Sequence, residues 1–576
     1  GHTQRPWLVP LSATEASPFG PSSQGWRISE VQDAKAKVNA ETSNGEADET
    51  VICHVAADGF EERMVPFPVP SGSYRDLAVV KDGVVWIEVA DRGGELGATR
   101  AGVTGEAPSD VLWHYNLSAR HLDKLCERVD TFSVSGDGER LVVRHRDDTI
   151  VVPSSHKVDD DDPAYIRVDL TRLRRTVNPR AEWRQMFDEN GRLMASHYWR
   201  EDMNGVDWDS VLNRYRPLVD LCHVVDDLHD ILWETVAELN TSHSYVSASG
   251  AAGDSDMRAG LLGADVSSGN DGAKVVRVIP GESSDPRAWS PLRAAGVAVT
   301  EGDVIVAVDG RKVGADGNLG ELLEGSAGRV VELTVRRGEN ERQVAVVPMA
   351  DEAPLRYHDW VASRRRYVEE HSGGRLGYLH VPDMVSDGWA ELHRQIGEAT
   401  RHEGVIADVR FNHGGHTSQL VVERLARRVV GWDYSRWYAT ADTYPQNAVR
   451  GPIVMVTNQW AGSDGDIVAA ATQAMGYAKV IGERSWGGVV GIDGRFDLVD
   501  GTSVTQPRYA GWYGSYGWGV ENHGVDPDIV VTVSPEDWEA DCDVQLDAAI
   551  AECLRQLDDK PAATAPELPG PAFDRC

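Results

Sequence analysis

From about Pro354 onward, short near-continuous apolar runs alternate with helical ones, and that alternation leaves few folds open. Leu376-Gly-Tyr-Leu-His-Val381, Val405-Ile-Ala-Asp-Val-Arg410, Ile453-Val-Met-Val456 and Val480-Ile481 are apolar at successive positions, so both faces of each strand need cover. A parallel sheet with helices on both sides supplies it. Runs such as Gln419-Leu-Val-Val-Glu-Arg-Leu-Ala426 supply helices between the strands. The most telling join is a strand, Pro452-Ile-Val-Met-Val-Thr457, followed by Asn458-Gln-Trp-Ala-Gly-Ser-Asp-Gly-Asp-Ile467 and a small-residue helix expected from about Asp464 to Met475. Ser463 therefore stands at a strand-to-helix turn, where free backbone N–H groups favour a developing anion. Gly462 and Gly465 flank it where the backbone bends sharply. Two roles fit the position alone: a helix N-cap, the common job of a serine before a helix, or an exposed nucleophile.

The preceding chain changes character three times. Residues 1–175 read as β-rich: Leu77-Ala-Val-Val80, Val84-Val-Trp-Ile-Glu-Val89, Val111-Leu-Trp-His-Tyr115 and Leu141-Val-Val-Arg-His145 are strand-like, with Lys81-Asp-Gly and Gly136-Asp-Gly as turns. Strand, Asp-Gly turn, strand recurs at a spacing suited to propeller blades, roughly three or four of them, too few for a closed ring. The expectation is a partial β-propeller cut by the chain start. Asp159-Asp-Asp-Asp162 reads as a solvated acidic turn. Residues 176–252 switch to helical periodicity, with Trp183, Met186, Phe187, Met194 and Tyr198 on one face and an interruption expected at Asn190-Gly191. Val206 to Tyr215 and Leu228 to Leu239 continue a small helical bundle that ends at Asn240-Thr-Ser-His-Ser-Tyr245.

Residues 256–351 turn to β again and resemble a PDZ domain. Gly260-Leu-Leu-Gly263, Val275 to Val278, Glu301-Gly-Asp-Val-Ile-Val-Ala-Val-Asp-Gly310 and Val330 to Val335 follow in that order. In such a domain Gly260-Leu-Leu-Gly263 is a carboxylate-binding nest, and an extended peptide adds as a strand. Residues 352–558 form the α/β segment, and the Pro/Ala-rich tail 559–576 is expected to be disordered.

Totals narrow the partners. The 576 residues suggest roughly four domains, and a net charge of −34 disfavours nucleic acid and anionic membrane surfaces. No apolar run reaches 18 residues, so no membrane span is expected. Residue 1 is Gly and no signal region follows, which reads as an internal start or a processed chain. Cys53, Cys126, Cys222, Cys542, Cys553 and Cys576 form no C-x-x-C pair, which fits a reducing cytoplasm better than a disulfide framework or a zinc ribbon. No metal or other cofactor is expected, and His413 and His416 read as a polar loop.

An activated serine needs a base within hydrogen-bond reach and a third group that fixes the base. His243 lies between Ser242 and Ser244, and Glu521 lies in the Gly-bracketed loop Gly519-Val-Glu-Asn-His-Gly-Val-Asp-Pro-Asp528. Phe411-Asn-His-Gly-Gly415 follows a strand ending in Asp408 and Arg410 and offers backbone N–H groups to an oxyanion. The turn at Ser463 is not the Gly-x-Ser-x-Gly elbow of α/β-hydrolases.

Leu239-Asn-Thr-Ser-His-Ser-Tyr, the PDZ segment, Asp408-Val-Arg-Phe-Asn-His-Gly-Gly, Gly462-Ser-Asp-Gly-Asp and Val520-Glu-Asn-x-Gly-Val-Asp-Pro-Asp occur in an order that resembles the tricorn protease family, within the C-terminal processing peptidases. The resemblance covers essentially the whole chain. It implies a multidomain β and α/β protein: the end of a second propeller, a helical C1 domain, a PDZ-like domain and an α/β C2 domain, without the first propeller. It implies a serine endopeptidase acting on oligopeptides, with Ser463 as nucleophile, His243 as base and Ser242 bridging the imidazole to Glu521. The N–H groups of Asp464 and of Gly414 or Gly415 would form the oxyanion hole. Asp433, beside Trp432 and Tyr434 at a helix end, would draw basic P1 side chains in a neighbouring subunit. A homo-oligomer follows, a hexamer of two stacked trimers, with the proteasome and aminopeptidases as upstream or downstream partners. A Ser/Lys dyad is disfavoured: after Ser463 the chain has only Lys479 and Lys560, and Ser485-Trp-Gly-Gly-Val-Val490 has no lysine. A non-catalytic peptide-binding scaffold is the alternative, and it has no need of Ser463, His243, Ser242 and Glu521 together.

Overall fold

Short β-branched runs separated by Asp-containing turns build the first unit as antiparallel meanders. The computed structural model describes residues 5–11, 19, 55–58, 60, 61, 63–90, 109–146, 148–174, 176–248, 257–314, 318–493 and 496–568. Cys53, Cys576 and the domain limits drawn at 252 and 256 lie outside them. Strands β1 (Tyr74–Val80), β2 (Gly83–Glu88), β3 (Val111–Asn116) and β4 (His121–Glu127) pair in sequence order. So do β5 (Thr131–Val134), β6 (Arg140–His145), β7 (Asp148–Pro153) and β8 (Ile166–Val168). In β6, Leu141 and Val143 point into the core while their neighbours face out, the period-two pattern of a half-buried strand. Among the described residues there are two such four-stranded sheets, where the sequence spacing suggested three or four blades.

The second compact unit begins at Val177. Helix α1 (Pro179–His197) starts with Asn178 as N-cap and proline in its first turn. Contrary to the expectation, α1 runs unbroken through Asn190 and Gly191. The glycine serves packing: a Cβ there would lie 2.8 Å from the Leu212 methyls, and Trp208 Nε1 donates to its carbonyl at 3.0 Å. Helices α2 (Trp208–Val219) and α3 (Val225–Ala237) complete the bundle around Phe187, Met194, Leu228 and Leu232.

The PDZ-like segment is a six-stranded antiparallel sheet. Its path is β9 (Ala264–Gly269), β10 (Gly272–Val278), β11 (Val304–Val308), β12 (Val331–Arg337) and β13 (Asn340–Val346), with the short Arg311–Lys312 strand on β11. Three of the four N–H groups of Gly260 to Gly263 are spent within the chain, which departs from an open nest. Gly260 N–H donates to Leu323 O (2.8 Å), Leu261 N–H to Met349 O (2.8 Å) and Gly263 N–H to Glu352 Oε2 (3.2 Å). The chain's own carboxylate stands where a peptide terminus was expected.

After helix α4 (Ala353–His371), strands β14 (Leu376–His380), β15 (Gly404–Asp408), β18 (Ile453–Thr457), β19 (Ala478–Gly482) and β20 (Ile529–Val530) form a fully parallel five-stranded sheet in that order. An antiparallel ribbon, β16 (Gly431–Asp433) with β17 (Asp442–Tyr444), stands apart from it. The apolar runs are sorted by face. Leu379, Val405, Ala407, Ile453, Met455 and Val480 pack on α5 (Ser386–Ala399), α6 (Ser418–Leu425) and α7 (Asp464–Met475). Tyr378, Ile406, Val454, Val456 and Ile481 pack on α4 and α8 (Val544–Asp559). The two-sided cover is what strands apolar at every position demand. The described part of the tail is laid down on this domain: Ala563 N–H donates to Arg450 O at 2.8 Å, and Ala562 packs on the core. That departs from the disordered tail expected for 559–576, of which 569–576 lie outside the described residues. Among the described residues no helix is long and apolar enough to cross a membrane.

Candidate active site

Strand β18 is buried along its whole length and is followed by Asn458, whose Oδ1 accepts from the N–H groups of Phe411 (3.0 Å) and Trp460 (3.2 Å). The chain then turns into α7 through Ser463, which has φ 58° and ψ −119°. A non-glycine residue in such a region costs on the order of 1–3 kcal/mol and persists only where its surroundings over-determine it. Ser463 occupies the N-cap position, yet its side chain makes no capping hydrogen bond, which removes the capping role. Gly414 packs against it: a Cβ on Gly414 would lie 2.5 Å from Ser463 Cβ and 3.1 Å from its Oγ. Among the described residues, the Asp464 N–H has no acceptor, while its carboxylate takes the Ser418 N–H (3.0 Å) and hydroxyl (2.7 Å) at the start of α6.

The loop facing Ser463 is held by a buried ionic network. Arg410 donates to Asp408 Oδ2 (2.7 Å) and to both carboxylate oxygens of Asp543 (2.8 and 3.0 Å), while Tyr378 and Arg364 complete the set. Removing one partner of such a network strands a buried charge, at about 3–5 kcal/mol. From this anchor the chain passes Phe411, at φ 58°, to Asn412. Asn412 Oδ1 accepts the Gly414 N–H at 2.9 Å. Gly414 is thereby corrected as an oxyanion donor, since its N–H is spent inside the loop. The Gly415 N–H has no acceptor among the described residues. Its φ of 147° and a Cβ position 2.1 Å from Met384 O make glycine obligatory there. His413 lines a separate cavity of about 320 Å³ with Tyr357, Trp360, His380 and Phe411. Among the described residues no cluster of three His, Cys, Asp or Glu is placed to hold a metal ion.

His243, at φ 59°, follows α3. Its Nδ1 lies 2.9 Å from Ser242 Oγ, which donates to Glu521 Oε2 at 3.0 Å. Glu521 Oε1 takes the Ser242 N–H at 2.6 Å, and Oε2 takes the N–H groups of Val489 (2.8 Å) and Val490 (3.0 Å). An ionised carboxylate only accepts, so the Ser242 proton points to Glu521 and its oxygen accepts Nδ1–H. Nε2 is left with its lone pair. Burial lowers the His243 pKa from its ordinary value, against the opposing charge of Glu521.

Trp486 joins the two halves. Its ring meets His243 edge-on, with centroids 5.4 Å apart, and fills the space over Gly462, where a Cβ would lie 2.7 Å from the indole. The sequence reading missed Trp486 and the donors of Val489 and Val490, although Gly487-Gly488 marked a close approach there. Among the described residues, no hydrogen bond or ion pair brings Asp433 to Ser463 or His243. Asp433 is exposed on β16, opposite Asp442 of β17, and not at a helix end, since α6 has already stopped at Leu425. Lys479 is occupied at the surface by Asp528 (3.4 Å), and Lys560 is exposed where α8 ends.

Known proteins share these parts in the same order. Residues 179–237 match the model for the Tricorn protease C1 domain, 260–351 that for the Tricorn protease PDZ domain and 375–531 that for Peptidase family S41. Tricorn protease homolog 1 of Streptomyces coelicolor is 53% identical over 570 residues, covering 98% of this chain and 52% of that protein. The Tricorn protease of Thermoplasma acidophilum is 34% identical over 497 residues, covering 86% of this chain and 46% of its own length. A solved structure described as the crystal structure of the tricorn protease superposes with a TM-score of 0.82 at 31% identity, over 96% of this chain and 51% of that one. The chain thus spans about half the length of the curated relatives it matches.

Proposed function

The chain belongs to the tricorn protease family, and on that premise we propose that it is a serine endopeptidase that hydrolyses oligopeptides at Ser463. The observation that carries the reading is the relay from His243 Nδ1 through Ser242 Oγ to Glu521, set beside an uncapped serine at positive φ.

In this reading His243 Nε2 takes the Ser463 proton as Oγ attacks the scissile carbonyl. The negative charge on the carbonyl oxygen is met by the N–H groups of Asp464 and Gly415. Ser242 and Glu521 stabilise the imidazolium and hold the ring in the tautomer that leaves Nε2 basic. The imidazolium then protonates the leaving amine, the C–N bond breaks, and an acyl-enzyme remains on Ser463. Water, deprotonated by the same imidazole, releases the acid and restores the hydroxyl.

The loop Gly260–Gly263 supports this reading over a peptide-binding scaffold, because the donors of Gly260, Leu261 and Gly263 are already taken within the chain. Asp433 on its exposed ribbon is assigned to the P1 pocket of a neighbouring copy in a hexamer. The protein is placed in the cytoplasm, exchanging peptides with the proteasome and aminopeptidases. Ser463→Ala removes the attacking atom and should lower turnover by about 10⁴-fold or more while circular dichroism is unchanged. Retained turnover, or fluorophosphonate labelling that survives the substitution, would remove Ser463 from the reaction. Asp433→Ala should lower kcat/KM about 10-fold more for an Arg substrate than for its matched Phe substrate. An unchanged ratio excludes the P1 role.

A further inference from the structure

One loop, residues 485–490, is hydrogen-bonded to both halves of the site at once. On the serine side, Trp486 N–H donates to Ala461 O at 2.9 Å, two residues before Ser463. On the relay side, Val489 and Val490 donate to Glu521, and Asn522 N–H donates to Gly487 O at 2.7 Å. The loop's shape is set from below by Asp466, one turn into α7 from Ser463 and fully buried. Asp466 Oδ1 accepts from Gly487 N–H (2.8 Å) and from the Ser485 hydroxyl, and Oδ2 accepts from Gly488 N–H (3.2 Å). Ser485 Oγ in turn accepts Val525 N–H at 2.9 Å, so the Glu521 loop is held at its far end as well.

The geometry points to Asp466 as a positioning residue that locks the nucleophile helix to the acid–base relay through the 485–490 loop. The inference rests on the catalytic reading of Ser463, His243 and Glu521. This loop is also where a lysine would stand in a Ser/Lys enzyme. Here it carries none, and its backbone instead supplies two of the donors that hold Glu521. Burial pushes the Asp466 carboxyl up to about 6, and the Ser485 hydroxyl with the N–H groups of Gly487, Gly488 and Ser463 pulls the other way. Such a buried acceptor is justified by the groups it fixes. Tyr513 faces both Asp466 and the neighbouring Asp464. Those facing His243 are Glu521 and, at 5.7 Å between rings, Tyr245.

The consequence concerns the relay and not only the fold. Asn at position 466 has one acceptor oxygen, so its NH₂ faces the Gly488 N–H, donor against donor. The adjacent Val489 and Val490 N–H groups then loosen from Glu521. A carboxylate with fewer donors holds more charge toward Ser242 and the imidazole, which raises the His243 pKa.

The test is steady-state kinetics of the full chain on one oligopeptide substrate, normalised to sites titrated with a fluorophosphonate, for wild type, Asp466→Asn and Ser485→Ala. Asp466→Asn should lower kcat per labelled site about 10- to 100-fold with KM little changed. The acid limb of kcat/KM should move to higher pH. Ser485→Ala, which leaves the carboxylate in place and removes one of its donors, should shift both in the same direction by less. If both variants keep wild-type kcat per labelled site and an unmoved acid limb, the positioning role is wrong, whatever they lose in melting temperature. If Asp466→Asn does not fold, Ser485→Ala alone decides by the same two readouts. Ser463→Ala is run alongside: activity surviving there sinks the catalytic reading, whereas a dead Ser463→Ala with an unmoved limb in the other two sinks this inference alone.

Discussion

Two glycine-rich loops in this chain, Gly260–Gly263 and Phe411–Gly415, look alike as strings of backbone donors, and the fold spends those donors on different partners. In the first, the donors of Gly260, Leu261 and Gly263 end on Leu323 O, Met349 O and the Glu352 carboxylate. Glu352 is itself held by Arg356, whose Nε donates to its Oε1 at 2.8 Å, so the plug is an ion pair built across the start of α4. In the second loop Asn412 takes the Gly414 N–H, and among the described residues the Gly415 N–H, beside the Ser463 turn, has no acceptor. A donor left unpaired in a tightly packed site costs stability unless something else occupies it. A loop with a spare donor next to an uncapped serine is thus the one suited to chemistry, and a loop with three of its four donors spent within the chain is suited to holding domains together.

The largest effect is expected at Gly415. Alanine there places a Cβ against Met384 O and demands a φ that alanine avoids, so the free N–H must move. Gly415→Ala should lower kcat by about 10²- to 10³-fold with a smaller change in KM, measured per folded molecule. A change confined to KM would show that Gly415 shapes substrate binding and not the oxyanion.

A pH series sharpens the contrast. Only neutral imidazole accepts the serine proton, so kcat/KM is full above the His243 pKa and declines as pH falls through it. Burial lowers that pKa, so the acid limb should lie below the ordinary histidine value of about 6.5. A limb above that value would mean that the Glu521 charge outweighs burial, and a flat profile from about pH 5 to 8 that another base is used.

The smallest effect is expected at the plugged loop. Glu352→Ala removes the plug and should cost about 1 kcal/mol of stability while leaving kcat/KM unchanged. Wild type should bind no peptide through a free C-terminal carboxylate in a fluorescence anisotropy titration. Binding by wild type that Glu352→Ala does not strengthen would show that the first loop is open after all, and the contrast between the loops would fall.

Features whose signals are local were legible in the chain alone. Apolar runs from Leu376 to Ile481 required a sheet covered on both faces, and they form one. Helix α7 begins at Asp464, as the small-residue pattern after Ser463 indicated, and Gly476 ends it in the left-handed conformation at φ 65°. Ser463, His243, Ser242 and Glu521 were each legible as candidates from the residues around them and from the order of the motifs. Where donors and acceptors end up is settled only by packing. Ser242 and Glu521 are 279 positions apart, and their bond depends on the helical bundle docking against the α/β domain. Whether Gly414 or Gly415 keeps a free N–H depended on the Asn412 rotamer, and whether Gly260–Gly263 is open depended on Glu352. Gly191 read as a helix break because propensity is local, while its reason is the distant Leu212. Hydrogen bonds are directional and each donor is spent once, so their assignment is a property of the packed molecule; periodicity and turn chemistry act over a few residues and are therefore written in the chain.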